Sequence, residues 1–133
     1  MDFKLVNLNQ VTDYDDWLKQ LGPAMTDDQA LRSDLVQQLL ERESQGSTII
    51  DPGIIMPHII NGQLSDYVVI VSHLVRPIQM QDQVISTAIV LIMRTVDQAI
   101  DDLIDRLISD DYLQQIKAPT IQLTQIKQMF EQE

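Results

Sequence analysis

The chain has 133 residues, enough to bury a core without staples, and is expected to form one domain over residues 1–133. Its net charge of -11, with only nine Lys and Arg, argues against nucleic-acid binding, which draws its affinity from cations neutralising phosphates. It has no cysteine, which excludes disulfides, thiolate zinc sites and cysteine nucleophiles.

A basic protein is the natural complement of so acidic a surface. Met1-Asp2-Phe3-Lys4 lacks the basic run and long apolar stretch of a secretory signal. No apolar segment approaches the ~20 residues of a membrane span. The expectation is therefore a cytoplasmic protein without direct membrane insertion.

Lys4-Leu5-Val6 suits a short strand. Tyr14, Trp17, Leu18 and Leu21 fall on one face of a helix over 13–21, with Thr12 as its cap and Gly22-Pro23 as its end. Thr26 and Gln29 form a capping-box pattern for a second helix starting near Asp27. Leu31, Leu35 and Leu39 line its apolar face up to about Arg42.

Gly46 breaks that pattern. Segments 47–50 and 53–56 read as short extended pieces around an Asp51-Pro52-Gly53 turn. Residues 66–75 make a strand dense in valine and isoleucine. Residues 84–93 are nearly all apolar, as expected of a central strand covered on both faces. Val96, Ile100, Leu103, Ile104, Leu107 and Ile108 follow helical spacing, with Asp97, Asp101, Asp102 and Asp105 largely opposite. A short helical turn over 110–116 and a final amphipathic helix after Pro119-Thr120, carrying Leu123, Ile126 and Phe130, complete the chain. Helices before, between and after strands point to a layered α/β domain.

The chemistry concentrates in ERESQGSTIIDPGIIMPH, residues 41–58. Arg42 ends a helix. Ser47 and Thr48 are adjacent hydroxyls after a glycine, and Gly53 permits a tight turn. Pro57 fixes its own backbone and extends Met56, so His58 leaves the strand end in a restrained direction. Such parts suit a phosphohistidine. With an unperturbed pKa of about 6.5, imidazole is largely neutral and nucleophilic near pH 7. The phosphoryl transition state is loose, so positioning and charge stabilisation do most of the work. A guanidinium can pair two phosphate oxygens at once. Hydroxyls and backbone N–H groups can complete the cradle. Arg42 equally suits a helix C-terminus, where positive charge is favourable, and Ser47 and Thr48 equally suit a strand edge. No GxxxxGK loop offers direct use of ATP.

This segment resembles the IIA domain of the fructose/mannitol type (type 2) in bacterial phosphoenolpyruvate-dependent sugar phosphotransferase systems (PTS). The family pattern is approximately R-E-x-x-G-S-T, a short gap, then G-I-A-I-P-H. Arg42-Glu43, Gly46-Ser47-Thr48, Gly53-Ile54 and Pro57-His58 match it in register. The helix over 31–42 precedes the motif as in the family. Residues 68–78 (VVIVSHLVRPI) resemble its strand ending in Leu-x-x-Pro-Ile/Val, and residues 107–116, with Ser109-Asp110, its late helix. The resemblance implies a mixed β-sheet sandwiched between helices. It implies that His58 accepts phosphate from the phosphocarrier protein HPr and passes it to a cognate IIB domain, serving sugar or polyol uptake through the membrane subunit IIC. It assigns Arg42, Ser47 and Thr48 to phosphate stabilisation, and requires no cofactor or metal.

The sequence departs from the family at three places. Many members carry a second active-site histidine at the start of the late helix; here Arg94-Thr95-Val96-Asp97-Gln98 stands there. Arg94 could supply the positive charge instead. Ile59 replaces the small residue that often follows the histidine, and the link Met80-Gln81-Asp82-Gln83 between the strands is short. His73, within an apolar strand, reads as a satisfied strand histidine, with a secondary place beside His58 as its other reading. The departures leave a second functional class open: a IIA-like regulatory module that binds a partner without efficient phosphotransfer.

Overall fold

The computed structural model describes residues 1–131. Six strands form one mixed sheet: β1 (Asp2–Leu8), β2 (Ile49–Asp51), β3 (Ile54–Ile55), β4 (His58–Ile60), β5 (Val68–Met80) and β6 (Gln83–Met93). The order is β1-β5-β6-β3-β2, and β4 also pairs with β6. β1 lies parallel to β5, β5 antiparallel to β6, and both β3 and β4 parallel to β6.

Alternation along β5 and β6 sorts their side chains into two cores. Ile70, Val90 and Ile92 pack under α1 (Tyr14–Met25) and α2 (Gln29–Ser44), with Trp17, Leu21, Leu35 and Leu39. Val69, Val71, Ile89 and Leu91 pack on the other face. There they meet residues of α3 (Gln98–Leu107), α4 (Asp110–Lys117) and α5 (Leu123–Glu131), including Leu107, Ile116 and Phe130. The expected mixed sheet between helical layers is therefore what the chain forms. β6 is its central strand, with residues 87–93 buried throughout. Inside the first layer the Trp17 indole Nε1–H donates to Ser72 Oγ at 3.0 Å, which fixes α1 on β5.

Several boundaries differ from the sequence reading. α1 is capped by Asp13, not Thr12: Asp13 Oδ1 accepts from the Asp16 N–H. It also runs through Gly22-Pro23 to Met25. Burial of Met25, and a 3.3 Å bond from the Thr26 N–H to Gly22 O, sustain the last turn after the proline. Asp28, not Thr26, caps α2, because its carboxylate accepts from both Ala30 and Leu31. A negative charge there also meets the positive end of the helix dipole.

β5 extends beyond the expected residue 75 to Met80. It joins β6 through the two residues Gln81 and Asp82, whose φ angles are +51° and +66°. Positive φ at both central positions is the type I′ hairpin geometry, which matches the twist of the flanking strands. The last helix begins at Leu123 rather than directly after Pro119-Thr120, with the Gln125 side chain accepting from the Gln122 N–H at 2.7 Å. Among the described residues, no helix is long and apolar enough to cross a membrane.

Candidate active site around His58

β2 and β3 form a small antiparallel hairpin whose turn carries Gly53 at φ +86°. Gly53 O accepts from the Ser86 and Thr87 N–H groups, which pins the turn to β6. Lys117 Nζ, from the end of α4, donates to Pro52 O at 2.8 Å. The chain then passes through buried Pro57, whose carbonyl accepts from the Leu91 N–H at 3.0 Å, so that His58 comes to pair with Leu91. A proline at this point sacrifices no ladder donor, because its carbonyl makes the link.

His58 is half-buried at the first position of β4. It opens on a cleft of about 310 Å³, walled by Gln38, Glu41 and Arg42 of α2, by Gln45 just past its end, and by Ile59 and Ile60. Its Nδ1 is buried without a hydrogen-bond partner. Ile59, the bulky replacement noted in the sequence, is buried under α2, while the exposed apolar neighbour is Ile60.

Arg42 sits in the last turn of α2 and spends one guanidinium N–H on Gly46 O at 3.1 Å. A guanidinium has five N–H donors, so this bond orients the group without exhausting it. Glu43, the next residue, faces inward. One of its carboxylate oxygens accepts from the buried Thr48 hydroxyl at 2.6 Å. Its other oxygen is buried without a partner, as is the Tyr14 hydroxyl of α1. Burial, and then the Glu43 charge, push the Tyr14 phenol well above the usual tyrosine range. Arg42 and Glu43 thus grip the same loop, one through Gly46 and the other through Thr48.

The cleft brings together two of the residues singled out from the sequence, His58 and Arg42. Thr48 is turned toward Glu43, and exposed Ser47 uses its Oγ to accept from the Ile49 N–H at 3.1 Å; neither lines the cleft. His73 lies on β5, two strands from His58, and pairs with Thr87, four positions along β6 from Leu91, the partner of His58. It is buried, with Nε2 2.6 Å from Ile116 O and Nδ1 3.0 Å from Asn7 Oδ1. The satisfied strand histidine is therefore its state, and it does not join His58. Arg94 is exposed just past Met93; the Asp66 carboxyl is held below the usual range first by the hydrogen bond from the N-terminal ammonium and then by the Tyr67 N–H, with the Arg94 charge the smallest contributor. Arg94 stands three strand positions beyond Leu91, the register partner of His58, roughly 10 Å along β6.

Sequence reasoning missed Gln38 and Glu43. Glu43 had a signal in its place beside Arg42. Gln38 had only its position one helical turn before Arg42.

Comparison with known proteins adds the relationship. No curated protein matches the sequence. Among solved structures, the fold is similar to the nitrogen regulatory protein IIA-Ntr from Neisseria meningitidis, with a TM-score of 0.74 and 12% identity over 96% of this chain and 92% of that one. It is also similar to the mannitol-specific cryptic phosphotransferase enzyme IIA CmtB from Escherichia coli, with a TM-score of 0.64 and 16% identity over 96% and 90% of the two chains. A family model described as "Phosphoenolpyruvate-dependent sugar phosphotransferase system, EIIA 2" matches residues 1–132, and the chain belongs to that family.

Proposed function

We propose that this chain is a phosphoryl carrier that takes phosphate from HPr onto His58 and passes it to a cognate IIB domain. The observation that carries the reading is the shared cleft of His58 and Arg42, which sets a half-buried imidazole beside a guanidinium held by one backbone carbonyl. Because Nδ1 is sealed, Nε2 is the nitrogen a docking protein reaches. Attack through Nε2 needs the proton on Nδ1. The Nε2 lone pair forms the new N–P bond while the N–P bond of the donor phosphohistidine breaks, and that electron pair returns to the donor imidazole. Arg42 stabilises the charge on the phosphoryl oxygens in transit. Ser47 and Thr48 act indirectly, by holding the loop to which Arg42 is bonded.

The test is labelling with HPr and its phosphoryl donor system. An acid-labile, base-stable phosphate should appear on the wild-type chain and be absent from His58→Ala. An unlabelled wild type overturns the reading.

A second reading has its own observation. The chain has two histidines, and the other, His73, is buried two strands away on β5, bonded to Asn7 and Ile116. The site therefore lacks the second imidazole many family members carry, which suits a regulatory module that binds its partner without efficient transfer. Partner binding that survives His58→Ala, together with an unlabelled wild type, would select it.

A further inference from the structure

β4 is three residues long and takes its ladder bonds from β6. On its other side it meets α2, and one side chain makes the junction. Gln38 Nε2 donates to Ile60 O at 2.8 Å, and Gln38 Oε1 accepts from Asn61 Nδ2 at 3.3 Å. Asn61 is itself fixed, since its backbone N–H donates to Met93 O at 2.8 Å and its Oδ1 accepts from the Gln63 N–H at 2.9 Å. A carboxamide carries the same donor and acceptor as a peptide group. Gln38 thus joins α2 to the end of β4 through one backbone carbonyl and one side-chain amide.

Residues four apart on a helix share a face, so Gln38 and Arg42 look the same way from α2. Both line the cleft of His58. The clamp on Ile60 and Asn61 therefore ties the helix bearing Arg42 to the strand bearing His58, two residues from the imidazole. We infer that Gln38 is a positioning residue: it sets the gap between Arg42 and His58 and acts on phosphoryl transfer through Arg42. This rests on the reading of His58 as the phosphoryl carrier. The leverage is large because a displacement of about 1 Å can cost up to ~100-fold in rate when catalysis is mostly positioning.

The experiment compares wild type, Gln38→Met, Arg42→Ala and the double variant. Phosphorylation is followed with phospho-HPr and with phosphoramidate, a small donor that needs no docking surface. Gln38→Met should slow the single-turnover rate about five- to tenfold with both donors, leave the KM for phospho-HPr unchanged, and add less than twofold once Arg42 is alanine. A Gln38 effect that is equally large without Arg42, or one confined to phospho-HPr, overturns the inference. If Gln38→Met fails to fold, Asn61→Ala, which removes the donor to Gln38 Oε1 and leaves Gln38 in place, carries the same expectations. The ring ¹⁵N signals of His58 provide a readout independent of transfer: they should move in Gln38→Met while those of His73 stay fixed. A wild type that is never phosphorylated overturns the carrier reading, whereas a phosphorylated wild type with unmoved His58 signals in Gln38→Met overturns the role of Gln38 alone.

Discussion

Arg42 and His58 line one cleft, although a helix end and a complete β-hairpin separate them in the chain. Arg42 is anchored to Gly46 O by one N–H, so its charge is already oriented before an anion arrives. Preorganised charge stabilises developing charge without reorganisation at the moment of reaction. Arg42→Ala should shorten the half-life of the phosphorylated chain about tenfold, and Arg42→Lys should restore only part of it, because an ammonium cannot pair two oxygens in a plane. Half-lives followed by ³¹P NMR at constant pH check this. Equal half-lives in wild type and Arg42→Ala would remove Arg42 from the site.

The contact between Thr48 and Glu43 gives a stability prediction. The Thr48 hydroxyl is buried and donates 2.6 Å to a carboxylate whose other oxygen has no partner. Replacing the donor strands a buried charge, at a cost of about 1–3 kcal/mol for the lost bond. Thr48→Val should therefore lower the urea midpoint, while Thr48→Ser, which keeps the hydroxyl, should recover most of the loss. A valine variant as stable as wild type would mean that Glu43 is solvated and the loop is not held through it.

Tyr14 makes the opposite case. Its hydroxyl is buried and forms no bond, so removing it forfeits nothing and relieves a desolvated polar group. Tyr14→Phe should be neutral or stabilising in urea unfolding at pH 7. Burial and the Glu43 charge raise the phenol in the folded state, so the unfolded chain releases this proton first. Stability should then fall as pH rises above about 10, the ordinary tyrosine value. Tyr14→Phe should flatten that alkaline limb and remove a phenol that ionises above the ordinary tyrosine range from the absorbance titration at 295 nm.

Much of this architecture was legible as apolar patterning. The valine- and isoleucine-dense run over 66–75, the nearly all-apolar run over 84–93 and the leucine spacing in 31–39 describe local burial, which a sequence writes directly. The Arg42 to His58 segment was legible as a motif. The misses share a cause. Gln81-Asp82 adopts positive φ without a glycine, so the hairpin carried no turn signal. Thr12 and Thr26 looked like caps, but Asp13 and Asp28, one and two residues later, offer charged acceptors. Gln38 and the Glu43–Thr48 pair depend on where α2 lands on β4 and on the following loop. Side-chain bonds between elements carry no spacing rule, so only the folded chain shows them. Ser47 had the right chemistry for a phosphate cradle but spends its oxygen on its own local turn.

The displaced cap of α1 gives a final prediction, on the acid limb. Asp16 accepts from the Thr12 N–H at 2.9 Å and from the Gln20 amide at 3.1 Å, and these bonds, the Thr12 N–H first, hold its carboxyl below the usual range. A carboxyl lowered in the folded state stabilises above its unfolded value of about 4, and that contribution is lost as pH falls through the lower folded value. Asp16→Asn keeps an acceptor oxygen and removes the charge. It should therefore be less stable than wild type at pH 7, with the gap closing as pH drops from about 4 toward 2. Urea midpoints of the two proteins at pH 7, 5 and 3 measure that gap, and a difference unchanged at pH 3 would show that it is the shape of the cap, not its charge, that Asp16 supplies to α1.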